Sequence, residues 1–592
     1  MKNIIIFWSC IFVVLCLLRC QKKDIIGVGG KNQVKVSISL KGVQNVELSK
    51  NAFVNTIDGL QMLRTHEMHD GFESISTFQA TSMHKTDKYA ATEPPTGTTR
   101  LGEGIKYRLI IYKLNEELEE EFYTFVDFVS QGEGGQVIAY EGDILVWYAY
   151  SYNTDEDIVD IDDFDHPVVD MGVNKDFLYA KGQLEIVEGY NALVIILQRK
   201  TAQIGIEIDA RGLFTDEIRN MTLVLPANII KSAHYDIRED ERTTAVISLP
   251  QQTIPLASFE NVDEGYNDRK VVYLYTAVPE VWNNLSFTLQ NLAILLDDNS
   301  STRSYPTSSF TIAKEFDIEV GKRYRGKLDL IESALTFGGV SWARENLYRM
   351  TSGRNPYRFY HENKQTDDYR SYFSFKGHIP GKWGSTVIGG QKDPCALVYP
   401  ANRWMQPTKS SFANLTRISN GVSIDGILPT VVGNLLGLFS TDATTNATFG
   451  ANYIQYNTAT GVSAVYPQSS NVLRFYYNGY DAIDLNVLGD GWVSLDLMNS
   501  YGLATALWTS DQGLNVLGLV GVGAWGYFGS TRNVLFSNQK IAKGFNSVQL
   551  LNVDALNLNV LSSARKNVRC IRNPNWETLS QDSGYNPEPD LN

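Results

Sequence analysis

The chain has 592 residues, enough for about three domains with complete hydrophobic cores. Its formal net charge of −14 excludes nucleic acid as a partner, because phosphate binding needs a basic face. Thirty-one Tyr, 26 Phe and recurrent short β-branched runs are the composition of a β-rich extracellular protein.

The first twenty-four residues carry the export signal. Met1-Lys2-Asn3 is a short basic start, Ile4 to Leu18 is an apolar run, and Arg19-Cys20-Gln21-Lys22-Lys23-Asp24 follows at once. The run is short for a bilayer span and suits the h-region of a secretory signal. A cysteine at its end, with polar residues behind it, predicts cleavage before Cys20 and lipidation of the thiol, hence an outer-membrane or cell-surface location. Arg19 departs from the small residue usual at that position, and an uncleaved N-terminal anchor is the alternative. Cys16 fits less well, since apolar residues continue after it. No second long apolar stretch follows, so the body is expected to be water-soluble.

Residues 21–32 read as a tether. Val34, Val36, Ile38 and Leu40 then alternate with Lys35, Ser37, Ser39 and Lys41, a strand with one apolar and one polar face. Residues 41–103 are weakly patterned, a long insertion of the kind that is often functional. Strands resume at Tyr107–Tyr112, Phe122–Phe128, Ile144–Tyr152, Leu184–Val187 and Leu193–Leu197. They continue with Ile204, Ile206 and Ile208, which alternate with Gly205, Glu207 and Asp209, and run on to Tyr324–Leu330. Long helical periodicity is missing, which predicts two tandem β-sandwiches, 33–200 and 201–335.

Near 335 the character changes. Residues 401–560 contain fifteen charged side chains and no Glu, and seven of the ten tryptophans lie from Trp342 onward. This predicts a third domain over 336–575. The polar, Pro-containing segment 576–592 reads as a disordered tail. Of five cysteines only Cys395 and Cys570 lie in the body, an even pair in an oxidising setting. A bridge between them would close a very long loop, worth on the order of 4–5 kcal/mol in the chain-entropy model. Two buried thiols are the alternative.

Enzyme chemistry finds little support, and no cofactor or metal is expected. The seven histidines, His66, His69, His84, His166, His234, His361 and His378, show no HExxH spacing, and neither CxxC nor GxSxG occurs. His66 and His69 read as solvated loop residues. Gly521-Val522-Gly523-Ala524-Trp525-Gly526 spells a dinucleotide fingerprint without its strand–helix context or acidic partner, and reads as a Gly-rich strand and turn. The stretch Asp155, Glu156, Asp157, Asp160, Asp162, Asp163, Asp165 lacks EF-hand spacing and reads as a solvated loop. Trp383, Tyr476, Tyr477, Tyr480 and Trp525 could form platforms for sugar, but core packing is the commoner explanation, so the ligand site stays unassigned.

Several segments resemble the fimbrillins, the type V pilus subunits of Bacteroidetes. They are Val34–Leu40, Gly104-Ile105-Lys106-Tyr107-Arg108-Leu109-Ile110-Ile111-Tyr112, Trp147-Tyr148-Ala149-Tyr150-Ser151-Tyr152-Asn153, and Asp176-Phe177-Leu178-Tyr179-Ala180 leading into Ile204–Ile208. The resemblance spans about 20–335 and rests on the order of segments. The third domain is similar to a C-terminal module of Bacteroidetes and Fibrobacter surface proteins whose fold is akin to C-type lectins, an α+β domain. Its matching residues are Gly339–Leu347 (GVSWARENL), Tyr357-Arg358-Phe359, Asp393-Pro394-Cys395, Tyr399-Pro400, Trp404-Met405-Gln406-Pro407-Thr408, Leu507-Trp508-Thr509-Ser510 and Asn567-Val568-Arg569-Cys570. In that module the two cysteines pair. Met405-Gln406 replaces the family's Arg-Leu, and Ser410-Ser411 stands where an acidic residue is usual.

The resemblance implies a mainly β subunit that is exported as a lipoprotein and cut by a surface protease after a basic residue, losing its first strand. A donor strand from the next subunit then fills the vacated groove, a form of strand addition. Arg64 is the expected cut site, with Lys50 as the second choice; a permanently retained first strand is the alternative. A fimbrillin body followed by a module and a polar tail would accept a strand without donating one, which implies a pilus-tip position. The implied partners are other pilus subunits, a host or bacterial surface glycan or protein, and the outer membrane through lipid. A non-assembling surface lipoprotein is the competing expectation.

Overall fold

The computed structural model describes residues 32–44, 63–80, 98–132, 135–282, 285–313, 316–381, 392–415, 447–457, 459–480, 483–488, 492–497, 501–512, 524–530, 533–534, 537–538, 541–547, 565–582 and 584–591. They form a mainly β protein, as the sequence predicts. The signal region with Cys20, Lys50 and Trp383 lies outside the described residues.

In chain order the first strands are β1 (Gln33–Gln44), β2 (Leu63–Met68), β3 (Phe72–Ala80), β4 (Thr98–Thr99), β5 (Lys106–Leu114) and β6 (Glu120–Val129). Next come β7 (Gln136–Tyr140), β8 (Ile144–Ser151), β9 (Val168–Asp170), β10 (Leu178–Glu185) and β11 (Asn191–Arg199). An eight-stranded sheet runs β4-β1-β11-β10-β8-β5-β6, with β7 also on β1. Strand β8 is apolar along its length because both its faces are covered. Leu145, Trp147 and Ala149 join the core that holds β1, while Tyr148 and Tyr150 join a second core with Tyr179 and Tyr235.

The second half of this β region contains β12 (Ala202–Gly212), β13 (Ile218–Leu225), β14 (Lys231–Asp236), β15 (Glu241–Ser248), β16 (Arg269–Thr276), β17 (Leu285–Leu295), β18 (Ser308–Ala313) and β19 (Arg323–Glu332). One sheet runs β16-β12-β19-β3-β2, and another centres on β13, β17 and β18. Their shared core includes Ile204, Ile206, Ile208, Leu223, Phe287, Leu289, Phe310, Ile312 and Leu328. Strand β14 leaves this unit to pair with β9, which ties the two halves together.

Residues 41–103, expected as a weakly patterned insertion, hold β2, β3 and β4. The β2–β3 hairpin adds to the second sheet through β3, with Phe78 opposite Gly326 and Ile75 opposite Asp329. The segment therefore leaves the expected 33–200 unit, visits its neighbour and returns. Its periodicity is hidden because Glu73, Ser74 and Ser76 are buried alongside Phe72, Ile75 and Phe78.

From Leu335 onward most strands are short, apart from the antiparallel set Ala504–Gln512, Ala524–Ser530 and Ile541–Ser547, and they surround two cores that contain Trp342, Trp404 and Trp508. Among the described residues of 336–575, helical structure is confined to 3-10 turns at Tyr369–Ser371, Pro394–Leu397, Lys409–Phe412 and Gln468–Ser470. Cys395 and Cys570 are joined by a disulfide between buried positions. The tail expected to be disordered is docked instead. Trp576–Leu579 forms an α-turn, and the Trp576 ring packs on Ile75, Ile331 and Tyr585. Glu588 pairs with Arg211 (2.7 Å) and Asp590 with Lys392 (3.0 Å), so polar composition here reflects ion pairing rather than disorder.

Candidate strand-acceptor groove

Alternation along β1 buries Val34, Val36 and Ile38 and exposes Gln33 and Lys35. On one flank β1 runs parallel to β11, with Val36 opposite Asn191, Ile38 opposite Leu193 and Leu40 opposite Ile195. On the other flank its first half is antiparallel to β7, with Val34 opposite Ala139 and Val36 opposite Val137. Its end is antiparallel to β4, with Val43 opposite Thr99. The strand therefore fills a slot between two partners, and its apolar side chains complete a core lined by Leu109, Ile111, Leu145, Trp147, Leu193 and Leu197.

A bulge between Leu40 and Gly42 bends β1 toward β4. Gly42 has φ +132°, and a Cβ there would lie 2.2 Å from the Thr99 carbonyl oxygen. Only glycine fits that approach. Burying Val34, Val36, Ile38 and Val43 contributes about 1.5–3 kcal/mol each as an upper figure. The sum rivals the whole stability of a typical domain. An empty slot is therefore not a resting state for this sheet.

Arg64 lies in β2, backbone-paired with Thr77. Its guanidinium sits 4.7 Å above the Trp576 ring and donates to Ser580 Oγ (2.6 Å). Arg403 covers the same ring at 4.6 Å. The docked tail thus covers the side chain that a protease specific for basic residues would have to bind.

The motif residues of the C-terminal module are structural. Trp342, Arg344, Trp404, Trp508, Asn567 and Arg569 are fully buried. Arg569 donates to Asn346 Oδ1 and to the Ala343 carbonyl, and Trp508 Nε1 donates to the Phe373 carbonyl. Gln406 Nε2 donates to the Thr509 carbonyl, and Ser411 forms a reciprocal cap with Thr408. Tyr477, Tyr480 and Trp525 are buried, which fits packing rather than a platform. Tyr476 is half-buried, edge-on to Tyr453, and its hydroxyl accepts from Arg474. The strand Ala524–Ser530 carries the second half of the dinucleotide-like run.

His66 lies in strand β2 rather than a loop, whereas His69 lies in the β2–β3 turn and is packed rather than solvated. His66 lies 3.1 Å from Glu73, and His69 stacks on Phe72 and contacts Ser74 Oγ. In the acidic stretch, Asp157 pairs with Lys106, Glu156 with Lys175 and Asp160 with Arg108. Among the described residues no group of three or more His, Cys, Asp or Glu is arranged to hold a metal.

Sequence reasoning missed the charged seam beneath the module. Arg403 grips Glu73 with two hydrogen bonds, and Arg572 lies 2.8 Å from the same carboxylate. Burial alone would raise the Glu73 carboxyl, but Arg572, His66 and Arg403 together hold it well below the usual range. Beside it Tyr399 reaches both Asp209 (2.8 Å) and Asp329 (2.6 Å), with Lys327 between the two carboxylates. Burial raises the Asp329 carboxyl, whereas Lys327 and Arg211 overcome burial at Asp209 and keep it ionised. The signal was present in the sequence: Glu207, Asp209 and Arg211 on β12, and Arg325, Lys327 and Asp329 on β19, recur with period two on neighbouring strands.

No protein-family model matches the chain, and no curated protein matches it. Solved structures do. A candidate cell adhesion protein of Bacteroides fragilis aligns over 52% of this chain and 95% of its own, at 11% identity and TM-score 0.30. One from Bacteroides uniformis aligns over 39% and 89%, at 13% identity and TM-score 0.27. The fimbrial anchor protein Mfa2 of Porphyromonas gingivalis aligns over 33% and 72%, at 11% identity and TM-score 0.19.

Proposed function

We propose that this chain is a structural and adhesive subunit of a cell-surface pilus, exported as a lipoprotein through Cys20, whose β1 slot accepts a strand from the next subunit. The observation that carries this reading is the pairing of β1 on both flanks together with its apolar face. Such a strand leaves behind both unpaired backbone and an apolar trough, the two features that strand addition satisfies. Lys50 is the only basic residue between the end of β1 and Arg64. With Arg64 backbone-paired and stacked on Trp576, we favour Lys50 over Arg64 as the cut site, which would leave the β2–β3 hairpin on the second sheet. Docking of Trp576, Glu588 and Asp590 on the chain's own body keeps this segment from serving as a donor strand, which favours a tip position.

The experiment is N-terminal mass mapping of protein recovered from cell surfaces, with a synthetic peptide of residues 33–44 offered to the truncated form. A start at Asn51, with peptide binding, supports assembly by strand donation. A lipidated start at Cys20 with β1 retained overturns it in favour of a non-assembling surface lipoprotein that binds glycan or protein. That second reading draws on the same fact that β1 completes the core.

A further inference from the structure

Strand β6 closes the eight-stranded sheet at the end opposite β4 and β1, and among the described residues its only strand partner is β5. It is ten residues long, with Phe122, Phe125 and Val129 exposed at 39%, 37% and 47%. A long edge with exposed apolar side chains is a template for another strand, and proteins commonly blunt such edges with lysine, proline or a covering loop. Strand β6 contains neither lysine nor proline.

The surroundings of this edge are acidic. Exposed Glu116, Glu117, Glu119 and Glu121 precede or begin β6, and Asp127 lies near its end. The loop carrying Asp155, Glu156, Asp157, Asp160, Asp162, Asp163 and Asp165 is pinned beside it, because Phe164 stacks on Phe122 (4.2 Å) and Phe125 (5.1 Å). Nearby cations are already committed: Arg108 to Asp127, Lys106 to Asp157, Lys175 to Glu156 and Arg238 to Glu120. A second copy of this chain would bring the same acidic rim against itself, which like-charge repulsion opposes.

We propose that β6 is a second strand-addition site, and that its occupant is an extended, lysine- or arginine-rich segment of a different protein. Addition at β6 lengthens the sheet, whereas occupation of the β1 slot restores a missing strand. The two sites use different strands of the sheet: the β1 slot lies between β11 and the β7 and β4 partners, whereas β6 pairs with β5 and reaches β7 only through the Tyr123 hydroxyl on the Ile138 carbonyl. Backbone pairing gives affinity, Val129 and the parts of Phe122 and Phe125 that Phe164 leaves exposed meet alternate apolar side chains, and the acidic rim selects basic sequence.

The test uses the purified full-length chain and a synthetic peptide of about twelve residues alternating lysine with valine or threonine, the length of one such strand. Binding is read by fluorescence anisotropy and located by amide hydrogen exchange. The basic peptide is expected to slow exchange across 120–129, and raising salt from about 50 to 500 mM should weaken it roughly tenfold or more. The triple variant Glu116→Lys, Glu117→Lys, Glu119→Lys should lose most of the affinity, while Glu188→Lys on the β10–β11 turn should not. Equal binding of a glutamate-for-lysine peptide, protection elsewhere in the sheet, or no protection at saturation overturns the proposal. Protection of β6 that rises with protein concentration alone also overturns it, since that names a second copy as the occupant.

Discussion

Arg403 of the C-terminal module holds Glu73 of the β2–β3 hairpin with two hydrogen bonds, of 2.9 and 2.7 Å, at positions where both side chains are buried. The module is thus fixed to the second sheet by charge in a low-dielectric seam, not by a flexible linker alone. Glu73→Gln removes the buried carboxylate that Arg403 and Arg572 share, leaving only the half-exposed Glu577 at 3.8 Å from Arg403, and should cost about 3–5 kcal/mol in denaturant unfolding. The double variant Glu73→Gln, Arg403→Met should recover part of that loss.

The same carboxylate sets an acid limit. Its folded-state pKa is depressed, so its contribution is fully present above the ordinary value of 4.5 and is lost as pH falls below it toward the folded value. Melting followed by a module probe such as Trp508 fluorescence should hold steady down to about pH 4.5 and decline progressively below it. A midpoint that falls first between pH 6 and 8 would point away from this seam.

Glu345 behaves in the opposite sense. It is fully buried, and burial and then Glu332 push its pKa well above the ordinary value of 4.5. Its stabilising contribution is present below that value and is lost as pH rises through the folded value. Glu345→Gln should therefore raise the melting temperature at neutral pH and leave it little changed in mild acid. Lower stability of the variant at both pH values would contradict this.

Trp576 is the anchor of the tail, enclosed by Ile75, Ile331 and Tyr585 and flanked by Arg64 and Arg403. Trp576→Ala should cost about 3–5 kcal/mol locally. It should also make the Arg64–Thr65 bond more open to trypsin than in the parent protein. Mass spectrometry of brief digests reads this directly.

Reduction of the Cys395–Cys570 bridge, or Cys395→Ser with Cys570→Ser, removes a cross-link spanning 175 residues. The chain-entropy model sets the expected loss at about 5 kcal/mol. The module should then unfold at lower denaturant than the two N-terminal sheets, giving two resolved transitions where the oxidised protein shows them closer together.

The β1 alternation was legible because one face is wet and the other dry, the condition under which period two survives in sequence. The same logic failed at β3, where Glu73, Ser74 and Ser76 are as buried as Phe72. At β12 the alternation is real but does not tell wet from dry: Glu207 and Asp209, between the buried isoleucines, are themselves buried beneath Arg269, Arg325 and Tyr399. The module covers that face from more than a hundred residues away, and local pattern carries no record of it. The tail failed for a related reason, since Glu588 and Asp590 find their cations on distant segments. In the module, by contrast, the Trp, Arg and Cys positions stood out because each is large or bonded and sits in a fully packed interior.

Strand β1 runs parallel to β11 along most of its length, with β7 on its other side. A strand occupying that slot and pulled along its own axis loads the hydrogen bonds of both ladders together, as a lap joint is loaded, instead of opening them one by one like a zip. Because β9 pairs with β14 in a small separate sheet that joins the two halves of the β region, and the Glu73 clamp joins the second sheet to the module, tension entering at one end would reach the other through paired strands and a buried ion pair. A chain built this way would pass load from one end to the other with little extension.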